Sequence, residues 1–215
     1  ALVLAMLPRM KALLMEGFTT VRNVGDASGT TYDLRDAVNA GAVVGPRMLA
    51  IEPQIGVAGG DYDASKWGVR PELEPYVTTR GQCTGVIECT KAVREEVNRG
   101  ADVIKFRQSS APYEDPKIAM IESEDEVRAV IDTAHRLDRK VAVHVNGSPA
   151  FLHMAITLGA DTIEHGPLDD AAIALMKKHG AAITPTLLAT RLVAPELMKR
   201  ENDGVLKAYR AGVPI

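Results

Sequence analysis

Cysteine is scarce in this sequence: two residues, Cys83 and Cys89, in a chain of 215. They make no CxxC pair and no repeated spacing. That argues against a disulfide framework or a zinc knuckle, and a reduced chain in the cytoplasm is the expectation. A basic run is also missing. The formal net charge is −3 with a pI near 6.0, which argues against a nucleic-acid or anionic-membrane partner. No apolar run reaches the ~18–20 residues that a membrane span needs. The apolar start, ALVLAML, has no basic segment ahead of it, and its helical period continues through PRMKALLMEG, so it reads as a helix and not a signal peptide. Neither GxGxxG nor GxxxxGK[ST] occurs, which removes the usual phosphate-cradling loops.

What the chain does have is a regular alternation. Hydrophobic residues make up 46% and charged residues 25%, ordinary for a soluble globular protein, and the length suits one sizeable core. Leu4, Leu7, Met10, Leu13 and Leu14 mark a leading helix that Gly17 ends. Met6, Met10 and Met15 follow its spacing and are expected in the core. Short apolar segments follow at 19–24, 47–51, 101–106, 140–145, 161–165 and 181–186, each followed by a helical segment. Ser123 with Glu126 has the form of a capping box, and Gly159 and Gly180 stand where two further helices should stop. Strands alternating with helices predict a parallel sheet of right-handed βαβ units, and the apolar strands suggest cover on both faces. The stretch 52–84, with Gly59-Gly60, several prolines and the single Trp67, breaks the pattern and reads as a binding loop or lid. A complete (β/α)₈ barrel takes about 250 residues. The fold class expected is therefore α/β, a TIM (β/α)₈-type barrel covering about strands 2–7 with their helices. It would form a single domain over 1–215, incomplete at both ends.

Three strand ends carry candidate chemistry: Lys105, His144 and His165. In a parallel barrel the strand C-termini converge on one face. Neutral imidazole suits zinc and similar divalent ions. A lysine ammonium cannot ligate, but an amine that takes up CO2 becomes an anionic carbamate with two oxygens, and desolvation favours the deprotonated amine. The plainer alternative is three ordinary polar strand ends. Arg22 either faces the same site or pairs with a neighbour such as Asp26. His135 and His179 read as structural or exposed, His179 suiting the end of a helix dipole, and His153 as packing.

The run GFTTVRNVG, LRDAVNAG, VVGPRML, GADVIKF, AHRLDRKVAVHVNG, GADTIEHG and ITPTL resembles the amidohydrolase superfamily, and within it the imidazolonepropionase-like group that includes Xaa-Pro dipeptidases. The likeness runs from about Gly17 to Leu187, in order. It implies a metal-dependent hydrolase of amide-type C–N bonds, of the dipeptide or N-acyl amino acid class, acting through a metal-activated water. Lys105 would be the bridging carbamate and His144 and His165 the ligands of one metal. The metal would be zinc, with up to two ions in the complete protein. Asn146, Ser109 and Arg22 would lie on the substrate side.

The sequence departs from that pattern in five places, one of them around Val145-Asn146, where an aromatic often follows the strand-five histidine. It contains no His-x-His and no strand-eight aspartate, so the family's catalytic base has no counterpart here. Gly59-Gly60-Asp61 stands for Gly-Gly-His, and Gln108-Ser109-Ser110 for Thr-Gly-Gly. The competing expectation is thus a scaffold that keeps the fold without the metal pair. The partners expected are a small-molecule or dipeptide substrate and, as in related proteins, further copies of the same chain, with no nucleic acid and no membrane.

Overall fold

The structure is a computed structural model that describes residues 2–25, 29–61, 63–77, 81–109, 117–118, 120–145 and 147–215. Asn146 lies outside them. The chain opens with helix α1 (Leu2–Met15), strand β1 (Thr20–Asn23), helix α2 (Thr31–Asn39) and strand β2 (Arg47–Ala50). β1 and β2 pair in parallel, with Thr20 opposite Arg47. Met10, Leu34 and Met48 form a small core between them. Met15 is not part of it: at the last turn of α1 it is exposed, contrary to its helical spacing.

The main sheet has four parallel strands in chain order: β5 (Val103–Arg107), β6 (Lys140–His144), β7 (Thr162–Glu164) and β8 (Ala182–Thr184). Helices α5 (Glu124–Arg136), α6 (Pro149–Leu158) and α7 (Asp170–His179) connect them. Their ends follow from local chemistry. Ser123 and Glu126 complete the capping box of α5. The Ser148 and Asp169 side chains accept backbone N–H groups at the starts of α6 and α7, and Gly159 and Gly180 close those helices in left-handed geometry. The last segment folds into α8 (Leu187–Val193), a short 3₁₀ turn (Pro195–Leu197) and α9 (Met198–Arg210).

The stretch 52–84 is more ordered than a loop. It holds two-residue strands, β3 (Gly56–Val57) and β4 (Gln82–Cys83), that pair in parallel, together with a 3₁₀ turn and the short helix α3 (Glu74–Val77). Asp63 accepts bonds from the Gly59 N–H at 2.6 Å and the Gln82 amide at 3.0 Å. Two-residue strands are too short to leave a periodic trace, which is why the sequence pattern passes over them. Helix α4 (Gly85–Asn98) follows, and Cys83 is disulfide-bonded to Cys89 in its second turn, Cα to Cα 4.9 Å. This overturns the expectation of reduced thiols. A strand end followed at once by a helix start folds the chain back on itself and brings the two residues together without any sequence signature.

Between the two strand groups the ladder continues through irregular backbone. Asp102 N–H donates to the Ala50 carbonyl, Ile55 N–H to that of Lys105, and Arg107 N–H to that of Ile55. Side chains on β1 also touch β7 and β8 (below), so the strands curl toward one another. The architecture is α/β with parallel strands.

Register divides the main sheet into two faces, because partners in a parallel ladder point the same way and neighbours along a strand point opposite ways. Lys105, Ala142, Thr162 and Ala182 form one row, and Arg107, His144, Glu164 and Thr184 the next. The other face is Ile104, Phe106, Val141, Val143, Ile163 and Ile183, all buried against the helices. The strands are therefore not apolar on both faces: one face is aliphatic and aromatic, the other largely polar.

Candidate metal centre

The polar face gathers the residues singled out from the sequence. Lys105 is 2% exposed, and its Nζ has no hydrogen-bond partner among the described residues. Burial lowers its pKa from 10.5 to about 7; the Glu164 carboxylate pulls the other way, and Arg22 and Arg107 add to the lowering. An amine in this setting is about half neutral near pH 7, where an ordinary lysine is almost fully charged.

His144 is the last residue of β6 and points to the same side. His165 needs a separate explanation. Strand alternation would send it to the apolar face with Ile163. Its φ of +61°, in the left-handed region, turns the chain back after Glu164, and Gly166 continues the turn with φ +87°. The imidazoles of His144 and His165 end edge to face, centroids 4.8 Å apart. Left-handed geometry is uncommon outside glycine and costs energy, so the turn persists because its surroundings hold it. One restraint is visible. His165 Nδ1 is hydrogen-bonded to the Thr186 hydroxyl, and Thr186 is itself left-handed, φ +46°. A bond at Nδ1 leaves Nε2 as the nitrogen available to a ligand. Burial lowers the His165 pKa to about 4, helped by Lys105, so this imidazole is neutral at pH 7.

Beneath these groups Arg22 of β1 crosses to the far strands. Its guanidinium donates to Thr162 at 3.0 Å, to Glu164 at 2.6 Å and to Thr184 at 3.1 Å. The Asp26 pairing considered from the sequence falls on residues outside the described set. Ser109 is buried beyond the end of β5, and its amide donates to the Glu122 carboxylate. Asp61, standing where the related pattern has histidine, accepts two bonds from Arg107, at 2.9 and 2.7 Å. The remaining histidines lie apart: His135 pairs with Asp161 at 2.8 Å and His153 with Asp169 at 2.9 Å, so His153 makes a side-chain hydrogen bond rather than only packing. His179 closes α7 on the exposed surface.

Above His144 and His165 a cavity of about 300 Å³ opens toward α8 and α9. Val145, Thr186, Ala189, Val193, Leu197 and Glu201 line it. Sequence reading missed Thr186, Glu164, Arg107 and Glu201. For Glu164 the signal was present, a carboxylate beside His165 on a short strand. For Glu201 there was none, since it sits in the ordinary-looking helical run KREND.

Two histidines and one lysine are a small donor set. Among the described residues no group of three or more His, Cys, Asp or Glu converges on one point. The orphaned, buried and readily deprotonated Lys105 amine beside two imidazoles nonetheless fits a site that holds a cation through a modified lysine.

Known proteins bear on this arrangement. A family model described as "Amidohydrolase family" matches residues 2–207. The chain belongs to the amidohydrolase family. Within that family, ochratoxinase of Aspergillus niger is 28% identical over 209 residues, 90% of this chain and 42% of the relative. Among solved structures, a Xaa-Pro dipeptidase with bound methionine in its active site superposes with a TM-score of 0.79 at 29% identity, over 97% of this chain and 56% of that one. The crystal structure of the A. niger ochratoxinase superposes with a TM-score of 0.79 at 25% identity, over 98% of this chain and 54% of that one. This amidohydrolase chain thus spans about half the length of the relatives it matches. Its fold matches theirs along nearly its whole length.

Proposed function

We propose that this chain is the central sector, about strands 2–7, of a single (β/α)₈-barrel domain. The protein it represents hydrolyses amide-type C–N bonds in a dipeptide or an N-acyl amino acid. The observation that carries the proposal is the convergence, on one sheet face, of the orphaned Lys105 amine with the paired imidazoles of His144 and His165. Relatives that include a Xaa-Pro dipeptidase support the substrate class.

In this reading Lys105, His144 and His165 hold a divalent cation, zinc by the chemistry of neutral imidazole. Once bound, such an ion acidifies a water and polarises the scissile carbonyl. The chain's own residues prepare the place for it. Burial leaves about half of the Lys105 amine neutral near pH 7, and that share can take up CO2 as a carbamate and release a proton. His165 offers Nε2 while Thr186 fixes its ring. Arg22 holds Glu164 by a close ion pair and so limits its pull toward a protonated Lys105. Ser109, Asn146 and Arg22 are the proposed substrate-side residues. The substrate is a small molecule or dipeptide, and association into homo-oligomers belongs to the same reading. A cytoplasmic location requires that Cys83 and Cys89 be reduced there, which thiol counting on protein prepared under alkylating conditions would show.

The competing reading, a scaffold without a working metal pair, is favoured by the sparse donor set among the described residues. Elemental analysis of the purified protein, paired with hydrolysis of a dipeptide panel, separates the two. Bound metal that is lost in Lys105→Ala and His144→Ala supports the enzyme. Metal at background level in all three proteins leaves the scaffold.

A further inference from the structure

Helix α9 meets the rest of the chain through one stripe, in which Glu201, Gly204 and Ala208 are the buried residues. Two of these have little or no side chain, as close packing demands. At Gly204 an added Cβ would stand 3.1 Å from the Leu168 carbonyl oxygen, in the segment that follows β7. The third is a carboxylate. Glu201 is 6% exposed, and it lines the same cavity as His144 and His165. Among the described residues its nearest cation is the Arg200 guanidinium, 4.0 Å away on a side chain 55% exposed, and no donor there lies within hydrogen-bonding distance of it. Burial raises its pKa. Most of the other side chains that line the cavity are apolar, Val145, Ala189, Val193, Ala194 and Leu197 among them, with Thr186 and Thr190 as hydroxyls.

Buried polar groups in proteins are almost always hydrogen-bonded, and a carboxylate in an apolar wall is expensive to keep. The helix could have carried alanine or leucine at this position. The geometry points to Glu201 as the group that binds the ammonium of a substrate whose amide lies over His144 and His165. The substrate class is then an aminoacyl compound with a free amino group and an apolar side chain, not an N-acylated one. Charge-assisted bonds from the ammonium supply the donors that the protein withholds. This assignment rests on reading the cavity as the place where substrate sits, and it narrows the two substrate classes above to one.

Binding separates it from the question of catalysis. Isothermal titration with L-leucinamide and with N-acetyl-L-leucinamide, at a pH where the free amine is protonated, compares two probes that differ at the amine alone. The expected result is at least tenfold tighter binding of L-leucinamide by the unaltered protein, falling to parity in Glu201→Gln. The variant should unfold at the same temperature or higher, because it loses a buried charge that lacks a donor. Three results would overturn the assignment: no preference in the unaltered protein, a preference that survives Glu201→Gln, or a melting temperature several degrees lower in that variant, which would make Glu201 a structural acceptor. Turnover is not read, so a protein that prefers L-leucinamide yet cleaves no amide refutes the proposed hydrolysis and leaves Glu201 in its role.

Discussion

The two faces of the four-stranded sheet are made by the same strands and follow opposite rules. The helix face is Ile104, Phe106, Val141, Val143, Ile163 and Ile183, buried without exception. The inner face carries Lys105, Arg107, His144, Thr162, Glu164 and Thr184, in register with two alanines. The first face gains from every methylene it buries. The second pays desolvation for each charged group it holds and recovers only part of it through the Arg22–Glu164 pair and its hydroxyl partners. A sheet built this way puts its stability on one side and its chemistry on the other.

Substitutions should separate the faces cleanly. The largest effect is expected from Phe106→Ala, which empties a site stacked on Phe151 with ring centroids 6.2 Å apart. Its cost is about 3–5 kcal/mol in urea unfolding, with metal content per folded molecule unchanged. A loss of metal equal to the loss of folded protein would fit the comparison; metal lost from protein that is still folded would break it. On the inner face, His144→Ala should lower metal affinity by more than the ~100-fold that outer partners of a ligand reach and leave unfolding in chelator within about 1 kcal/mol of the parent.

The next test is pH. Lys105 titrates near 7 in the folded chain against 10.5 in its ordinary state, so the unfolded chain holds more protons between those values. Stability of the metal-free protein in CO2-free buffer should therefore rise with pH across that window, by at most about 1.4 kcal/mol per unit. The rise should be absent in Lys105→Met. A slope that persists in the variant would assign it elsewhere. The smallest effect belongs to Thr186→Val, which removes the hydroxyl at His165 Nδ1. Metal affinity should fall about tenfold, and Thr186→Ser should restore it; equal losses in both variants would mean that the backbone, not the hydroxyl, positions the ring.

The helix face is legible in the sequence because burial writes itself as apolar periodicity. The six longer strands, the capping box at Ser123 and Glu126, and the glycine stops at Gly159 and Gly180 all stand close to where the pattern puts them. The inner face was readable in part. Lys105 and His144 lie at strand ends and announce themselves. His165 was found by its position, but its return to the site depends on a left-handed residue that is not glycine, which no alternation rule foresees. Arg22 was noticed without its partners, since its contacts lie across the strands and leave no local trace. The Cys83–Cys89 bond and the exposure of Met15 went the other way from expectation. In both cases the deciding factor is where a short segment folds back or ends, and helical or spacing patterns do not encode that.

Gly204 carries a last consequence. The distance between α9 and the segment after β7 is set by a side chain that is absent, and α9 forms one wall of the cavity. A single methyl there, in Gly204→Ala, would press on the Leu168 carbonyl, so that α9 or the facing segment must give by a few tenths of an ångström, which alters the chamber wall above His144 and His165 without touching either histidine. The shape of the chamber and the histidines beneath it are therefore adjustable by separate mutations. A lineage, or an engineer, could change what the chamber admits in one step and leave Lys105, His144 and His165 as they are.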